Sequence, residues 1–148
     1  MFKRILVPVD GSGTSNRALA VALQLAREWG SNVRLVHALD ELAYFSAYEY
    51  SSELVRVARE QADKVLQDGL EAAMSSGVPA DSRLMDAPGQ RLGDLVADAA
   101  RGWEADLVVV GTHGRRGLGR VLLGSGAEQV IRNAPVPVLT VRGGDEAG

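Results

Sequence analysis

The chain has 148 residues, 46% of them hydrophobic and 24% charged, which suits one globular domain with a buried core. A formal net charge of −3 argues against general nucleic-acid binding. The absence of cysteine excludes disulfides, thiolate catalysis, Cys-ligated zinc and cysteinyl iron–sulfur clusters, and two distant histidines, His37 and His113, do not suggest a His-rich metal centre.

The first apolar segment, Ile5–Val9, reads as a strand, and Asp10 stops it too early for a signal-peptide core. Ala18, Ala22, Leu25, Ala26 and Trp29 then recur at helical spacing, with Gly30 placed as a stop. Val33–Ala38 is a second strand. Leu54, Ala58, Ala62, Val65, Leu66, Leu70 and Ala73 mark a long helix ending near Gly77-Val78-Pro79. Asp81–Met85 is more polar and reads as an edge strand. Leu92, Leu95, Val96 and Ala99 make a third helix, and Asp106–Val110 a fourth strand. A last helix runs from Ser125 to Asn133 and is stopped by Pro135 and Pro137, before a final strand, Val136–Arg142. Trp29 and Trp103 end helices and read as packing residues, not stacking platforms, and His37 as a packed strand residue. Residues 143–148 read as a flexible tail, which leaves 1–142 as the domain. No stretch approaches the roughly 20 apolar residues of a membrane span, so the expectation is a cytoplasmic protein without contact to membrane.

Strand and helix thus alternate five times over, and three strands lack polar–apolar alternation, as strands do when helices cover both faces of a sheet. The fold expected is α/β: one doubly wound five-stranded parallel sheet with helices on both faces. In such sheets ligands sit beyond the carboxyl ends of the strands, where the strand order reverses. The loop after the fourth strand is the informative one. From Gly111 to Gly126 it holds six glycines and three arginines (Arg115, Arg116, Arg120) and no acid, and it leads into the N-terminus of the last helix. Glycines let backbone N–H groups approach a ligand, and a helix N-terminus favours an anion, so this is a phosphate site in outline. The same residues also suit a long flexible turn, with Ser125 and Glu128 as a capping box.

Familiar phosphate motifs fail. No lysine stands near a glycine loop, so there is no P-loop, and Gly11-Ser12-Gly13 lacks the third glycine of a dinucleotide fingerprint. A phospho-acceptor receiver domain would find Asp86 after the third strand and Thr112 after the fourth. It would also need an acidic pair after the first strand and a lysine after the fifth, where Asp10 stands alone and Arg142 replaces the lysine.

Taken together, Ile5-Leu6-Val7-Pro8-Val9-Asp10-Gly11-Ser12, Leu35-Val36-His37-Ala38, the run from Ala105 to Gly114, Leu122-Leu123-Gly124-Ser125 and the run from Ala134 to Val141 resemble the universal stress protein family. Gly111, Gly114, Gly124 and Ser125 match the Gly-x2-Gly-x9-Gly-Ser/Thr motif of its nucleotide-binding members. The resemblance implies a Rossmann-like sheet of order 3-2-1-4-5, as in adenine nucleotide alpha hydrolases. It also implies an adenine-nucleotide site made by Pro8, Val9, Asp10, Ala38, Val110, Gly111, His113, Gly114, Arg115, Gly124, Ser125 and Gly126. Asp10 would accept from the ribose hydroxyls (its alternative is a cap or turn role), Val9 and Ala38 would flank adenine, and Val110 and Gly111 would approach the ribose and α-phosphate. Gly114, Gly124, Ser125 and the N–H of Gly126 would hold the phosphates, Gly126 standing where a bulkier residue is commoner. His113 would orient or contact the phosphates, and Arg115 is either a phosphate contact or a solvated basic residue.

ATP with Mg²⁺ is the ligand so implied, in a regulatory or sensing module of the stress response whose 111–126 loop orders around it. The sequence offers no catalytic group, so turnover would be that of a slow ATPase at most. The alternative is a dimeric interaction protein with a vestigial nucleotide pocket. In either case a homodimer is expected through the apolar Val136–Val141 edge strand, with an unidentified protein partner. The segment Leu42–Tyr50 holds four of the seven aromatic residues, either packed at the start of the second helix or forming a lid or partner surface.

Overall fold

The computed structural model describes residues 1–39, 52–86, 89–112 and 125–143. The segment Leu42–Tyr50, most of the 111–126 loop and the tail beyond residue 143 lie outside them. The described elements are β1 (Arg4–Pro8), α1 (Gly13–Trp29), β2 (Asn32–Ala38), α2 (Ser52–Ser75), β3 (Ala80–Met85), α3 (Leu92–Trp103), β4 (Leu107–Gly111), α4 (Ser125–Asn133) and β5 (Val138–Val141). All strand pairs are parallel and the order is β3-β2-β1-β4-β5, as the family resemblance implied.

Two helical layers bury the sheet. On one face Ile5, Val7, Val33, Leu35, Leu107 and Val109 pack against Ala18, Ala22 and Leu23 of α1 and Leu66 and Ala73 of α2. On the other, Leu6, Val36, Val108 and Val110 meet Val96 and Ala100 of α3 and Ala127 and Val130 of α4. Alternate residues of the same strand therefore go to opposite cores, which is why β1 and β4 are apolar without alternation. β3 lies at one edge, as its polarity predicted, and β5 at the other, with Leu139 37% exposed. Among the described residues no helix is long and apolar enough to cross a membrane.

Helix ends follow the local sequence. Ser12 caps α1 by accepting from the Ser15 N–H, and Gly30 closes it in the left-handed region at φ 69°. α3 closes on Glu104, a non-glycine residue at φ 58° whose N–H reaches the carbonyls of Ala100 and Arg101.

All five strands differ from the expected limits by a residue or two: β1 takes in Arg4, β2 Asn32 and β3 Ala80, β4 runs on to Gly111, and β5 stops at Val141. Val9 falls outside β1, although its N–H still donates to the Val36 carbonyl at 2.8 Å. Asp106 lies just before β4: its N–H donates to the Arg4 carbonyl at 2.9 Å, and its carboxylate accepts from the Lys3 and Arg4 N–H groups at 2.9–3.1 Å. β5 begins at Val138 and not Val136, since Pro137 has no N–H to give a ladder.

Trp103 packs against the core shared by α3 and α4, as expected. Its ring is a platform for cations, with the Arg34 guanidinium 4.8 Å and that of Arg4 5.9 Å from its centroid. Arg34 at the same time donates from Nε and Nη2 to the Asp81 carboxylate, both at 2.8 Å. That two-pronged bond holds the Asp81 carboxyl below its ordinary range and raises the already high value of Arg34. Asp81 is partly exposed, so the pair is worth only about 0.5–1 kcal/mol, but it pins the edge strand β3 to β2. Trp29 behaves as expected, packing against Phe2 with ring centroids 5.2 Å apart.

Candidate functional site

The chain leaves β1 leftward through α1 to β2, and leaves β4 rightward through α4 to β5. Because α1 and α4 lie on opposite faces, the carboxyl ends of β1 and β4 open between them. This is the switch point of the sheet, and a ligand there meets backbone on both sides.

On the β1 side, Asp10 begins a braced turn. Its Oδ1 accepts from the Ser12 N–H at 2.9 Å, its own N–H donates to Ser15 Oγ at 3.0 Å, and the Ser15 N–H donates to Ser12 Oγ at 3.2 Å. Gly11 stands between at φ 83°, a left-handed conformation that the reversal requires. Asp10 is therefore a turn residue, and Ser12 is the cap of α1. Its second carboxylate oxygen has no partner among the described residues. Both roles foreseen for this aspartate are thus compatible, one per oxygen. The serine brace was not foreseen, although Ser12-x-x-Ser15 at a helix start was its sequence signal.

Next to Asp10, Pro8 and Val9 are buried and Ala38 half-buried, at the carboxyl ends of the adjacent strands β1 and β2. His37 Nδ1 lies 2.6 Å from the Val9 carbonyl and donates to it, so the imidazole ties β2 to the end of β1. It is a packed strand residue, as expected. A cavity of about 770 Å³ opens between α1 and α2 and reaches the site only at Val9, Asp10 and Gly11. It continues toward Leu23 and Arg27, away from α4, so it lies beside the switch point and does not coincide with it.

On the β4 side, Val110 is buried and Gly111 ends the strand. A Cβ built at Gly111 would sit 2.6 Å from Thr14 Cγ2 and 2.9 Å from the Thr14 carbonyl oxygen. Close approach of α1 to β4 thus demands glycine here before any ligand does. The next residue, Thr112, is only 5% exposed, and its N–H donates to the Val141 carbonyl at 3.0 Å. Its hydroxyl Oγ1 is buried with no hydrogen-bond partner among the described residues, a state that costs about 1–3 kcal/mol.

α4 begins at Ser125, and the first N–H groups of a helix have no partner within it. Gly126 is packed tightly: a Cβ there would meet Leu92 Cδ2 at 2.9 Å. His113, Gly114, Arg115 and Gly124 lie outside the described residues.

The receiver-domain alternative is excluded by topology. β2 and β1 separate Asp86 at the end of β3 from Thr112 at the end of β4, and Asp86 is ion-paired with Arg59 of α2.

With this geometry in hand, comparison with known proteins is informative. The model of the universal stress protein family matches residues 1–142. A universal stress protein of Thermus aquaticus, encoded in the 3′ region of a QAH/OAS sulfhydrylase, is 37% identical over 142 residues, covering 96% of this chain and all of its own length. The solved structure of the hypothetical protein MJ0577 superposes with a TM-score of 0.82 at 27% identity, covering 96% of each chain. A universal stress protein from Archaeoglobus fulgidus, solved in complex with dAMP, superposes with a TM-score of 0.72 at 25% identity, covering 94% of this chain and 97% of its own.

Proposed function

This chain belongs to the universal stress protein family, and from that membership we propose that it is an adenine-nucleotide-binding regulatory module of the stress response. The observation that carries the reading is the opening between β1 and β4, with an Asp10 oxygen that has no partner among the described residues on one side and the N-terminus of α4 on the other. The dAMP complex of the Archaeoglobus relative supports it, since a nucleotide is held there by the same fold. In this reading Pro8, Val9, Ala38 and Val110 form the apolar wall beside adenine. Asp10 accepts from the ribose hydroxyls, and Gly111, His113, Gly114, Arg115, Gly124, Ser125 and Gly126 approach the phosphates.

ATP is the ligand we assign, with Mg²⁺ on its phosphates, in the cytoplasm. Among the described residues no group of three or more His, Cys, Asp or Glu is placed to hold a metal. Such an ion would take its ligands from phosphate oxygens and water, as Mg²⁺ commonly does. Hydrolysis would be slow or nil, because no P-loop lysine is present to stabilise charge developing on the transferred phosphoryl group. Occupancy would then act as a signal and not as a step in turnover.

Calorimetric titration of ATP with Mg²⁺, AMP and cyclic AMP into nucleotide-stripped protein tests this. Micromolar binding of at least one is expected. Asp10→Ala should weaken it about tenfold or more, the worth of a hydrogen bond to a charged acceptor. Asp10→Asn keeps an oxygen for the Ser12 N–H, so it should fold as the parent does while still losing affinity. Binding of no adenine nucleotide by the folded protein would leave the alternative, an interaction protein with a vestigial pocket.

We further assign a homodimer through the Val136–Val141 edge. Among the described residues β5 has no strand on its outer side, and Leu139 is 37% exposed and Ile131 of α4 42%. An apolar edge of this kind pairs readily with its own copy across a two-fold axis. Light scattering at micromolar concentration should give a dimer, and Leu139→Glu a folded monomer.

A further inference from the structure

We propose that His37 is a positioning residue of the site: its imidazole takes the Val9 carbonyl and so keeps the Ala38 N–H available to read the edge of adenine. This rests on the nucleotide reading above and extends it to a side chain beyond those already assigned to it.

The hydrogen-bond ladder carries the argument. Odd-numbered residues of β2 bond outward to the β3 side, the Val33 N–H to the Pro79 carbonyl at 3.0 Å and the Leu39 N–H to the Met85 carbonyl at 3.1 Å. Even-numbered residues bond inward to the β1 side. The Asn32 N–H donates to the Lys3 carbonyl at 2.9 Å, and the Val36 carbonyl accepts from the Val9 N–H at 2.8 Å. The next bond of that series would run from the Ala38 N–H to the Val9 carbonyl. Among the described residues no backbone bond joins the two. The carbonyl is occupied instead by His37 Nδ1, 2.6 Å away, which donates because an amide oxygen only accepts. A backbone N–H demands a partner, so one passed over by its ladder at the carboxyl end of a strand is set for a ligand.

The imidazole also fixes the peptide that carries Asp10. The Val9 carbonyl and the Asp10 N–H belong to one planar unit. His37 holds its oxygen, and Ser15 Oγ accepts from its N–H at 3.0 Å, so two side chains from different elements set its plane. Without the imidazole, the ladder donor due to that carbonyl is the Ala38 N–H. The ladder would then lengthen by one bond, and the N–H offered to adenine would be lost.

His37→Phe keeps a ring and removes the donor, while His37→Asn places an amide nitrogen close to the position of Nδ1. Amide exchange followed by NMR, and titration with AMP and its 1-, 3- and 7-deaza analogues, read the two consequences. Without ligand the Ala38 amide of the parent should exchange fast, and His37→Phe should slow it about tenfold or more. His37→Phe should bind AMP about tenfold more weakly, the worth of one hydrogen bond, and His37→Asn within about threefold of the parent. The parent should lose about tenfold for the deaza analogue whose missing nitrogen accepts from Ala38, and His37→Phe should bind that analogue and AMP alike. A purely structural role would weaken all four ligands by one factor and leave the discrimination intact. His37→Leu repeats the comparison should the phenylalanine variant not fold.

A slowly exchanging Ala38 amide in the ligand-free parent would overturn the proposal. So would AMP affinity in His37→Phe within about twofold of the parent, or the same discrimination among the four ligands. Each of these leaves the nucleotide reading standing, because the parent would still bind AMP. A parent that binds no adenine nucleotide would overturn both.

Discussion

Gly93→Ala is expected to destabilise the protein by about 2 kcal/mol and lower its melting temperature by roughly 4–8 °C, while Gly102→Ala on the same helix raises it. A Cβ at Gly93 would lie 2.5 Å from Gln129 Cβ and 2.8 Å from the Gln129 carbonyl carbon and oxygen. These atoms belong to the body of α4, so no side-chain rotation relieves the overlap. α3 and α4 must move apart, loosening Val96 and Ala100 against Ala127 and Val130. Overpacking of this kind costs about 3 kcal/mol at its upper range, and alanine's better helix propensity recovers about 1 kcal/mol of it. At Gly102 nothing lies within 4 Å of the added methyl, so only the propensity gain remains. Differential scanning calorimetry of the two variants measures the difference directly. In the proposed function α4 carries the phosphate end of the site, so Gly93→Ala should also weaken AMP binding, and Gly102→Ala should not. Equal melting temperatures for both would show that α4 yields without loss and that the close crossing of the helices contributes no stability.

How far the fold was legible follows from which physical signal each element carried. β1 and β4 were plain because burial on both faces removes polar residues altogether, and α1 because Gly30 ends it in a conformation glycine prefers. β4 lies one residue later than the pattern suggests, from Leu107 to Gly111, and Asp106 just before it is held by Lys3 and Arg4, a contact across more than a hundred residues that local pattern does not encode. Trp103 reads correctly as a packing residue, but its cations, Arg4 and Arg34, come from two different strands and leave no local signal. Asp10 stands out in the sequence because an acid directly after an apolar strand is conspicuous. Its division into one oxygen for the turn and one left over required the Ser12 and Ser15 hydrogen bonds. Gly111 and Gly126 carry a second demand that the sequence does not show: a Cβ at either would meet a neighbour within the fold, Thr14 or Leu92. A glycine in a sequence states that something lies close; only the fold states whether it is a ligand or another part of the chain.

Gly111→Ala puts that distinction to the test, and the expected loss is about 3 kcal/mol, or roughly 6–12 °C in melting temperature, in the absence of any ligand. If the glycine served only to admit a nucleotide, the ligand-free protein would be unaffected and affinity alone would fall. Here the added Cβ meets Thr14 at three atoms: Cγ2 at 2.6 Å, the carbonyl oxygen at 2.9 Å and the carbonyl carbon at 3.1 Å. Thr14 is 2% exposed in the first turn of α1, so it has no empty space to enter. A strand residue also gains no helix propensity to offset the clash, which is why the loss should exceed that at Gly93. Relief must come from α1 lifting away from β4, and this moves the Asp10–Ser15 turn that heads the helix. Nucleotide affinity should then fall as a consequence of the displaced turn. Thr14→Ser separates the two sources of strain by removing Cγ2 and keeping the backbone. Combined with Gly111→Ala it should restore part of the stability and leave the share due to the carbonyl oxygen. Full restoration would place the whole conflict in the Thr14 methyl. No restoration would place it in the backbone, with α1 and β4 as close as glycine alone permits.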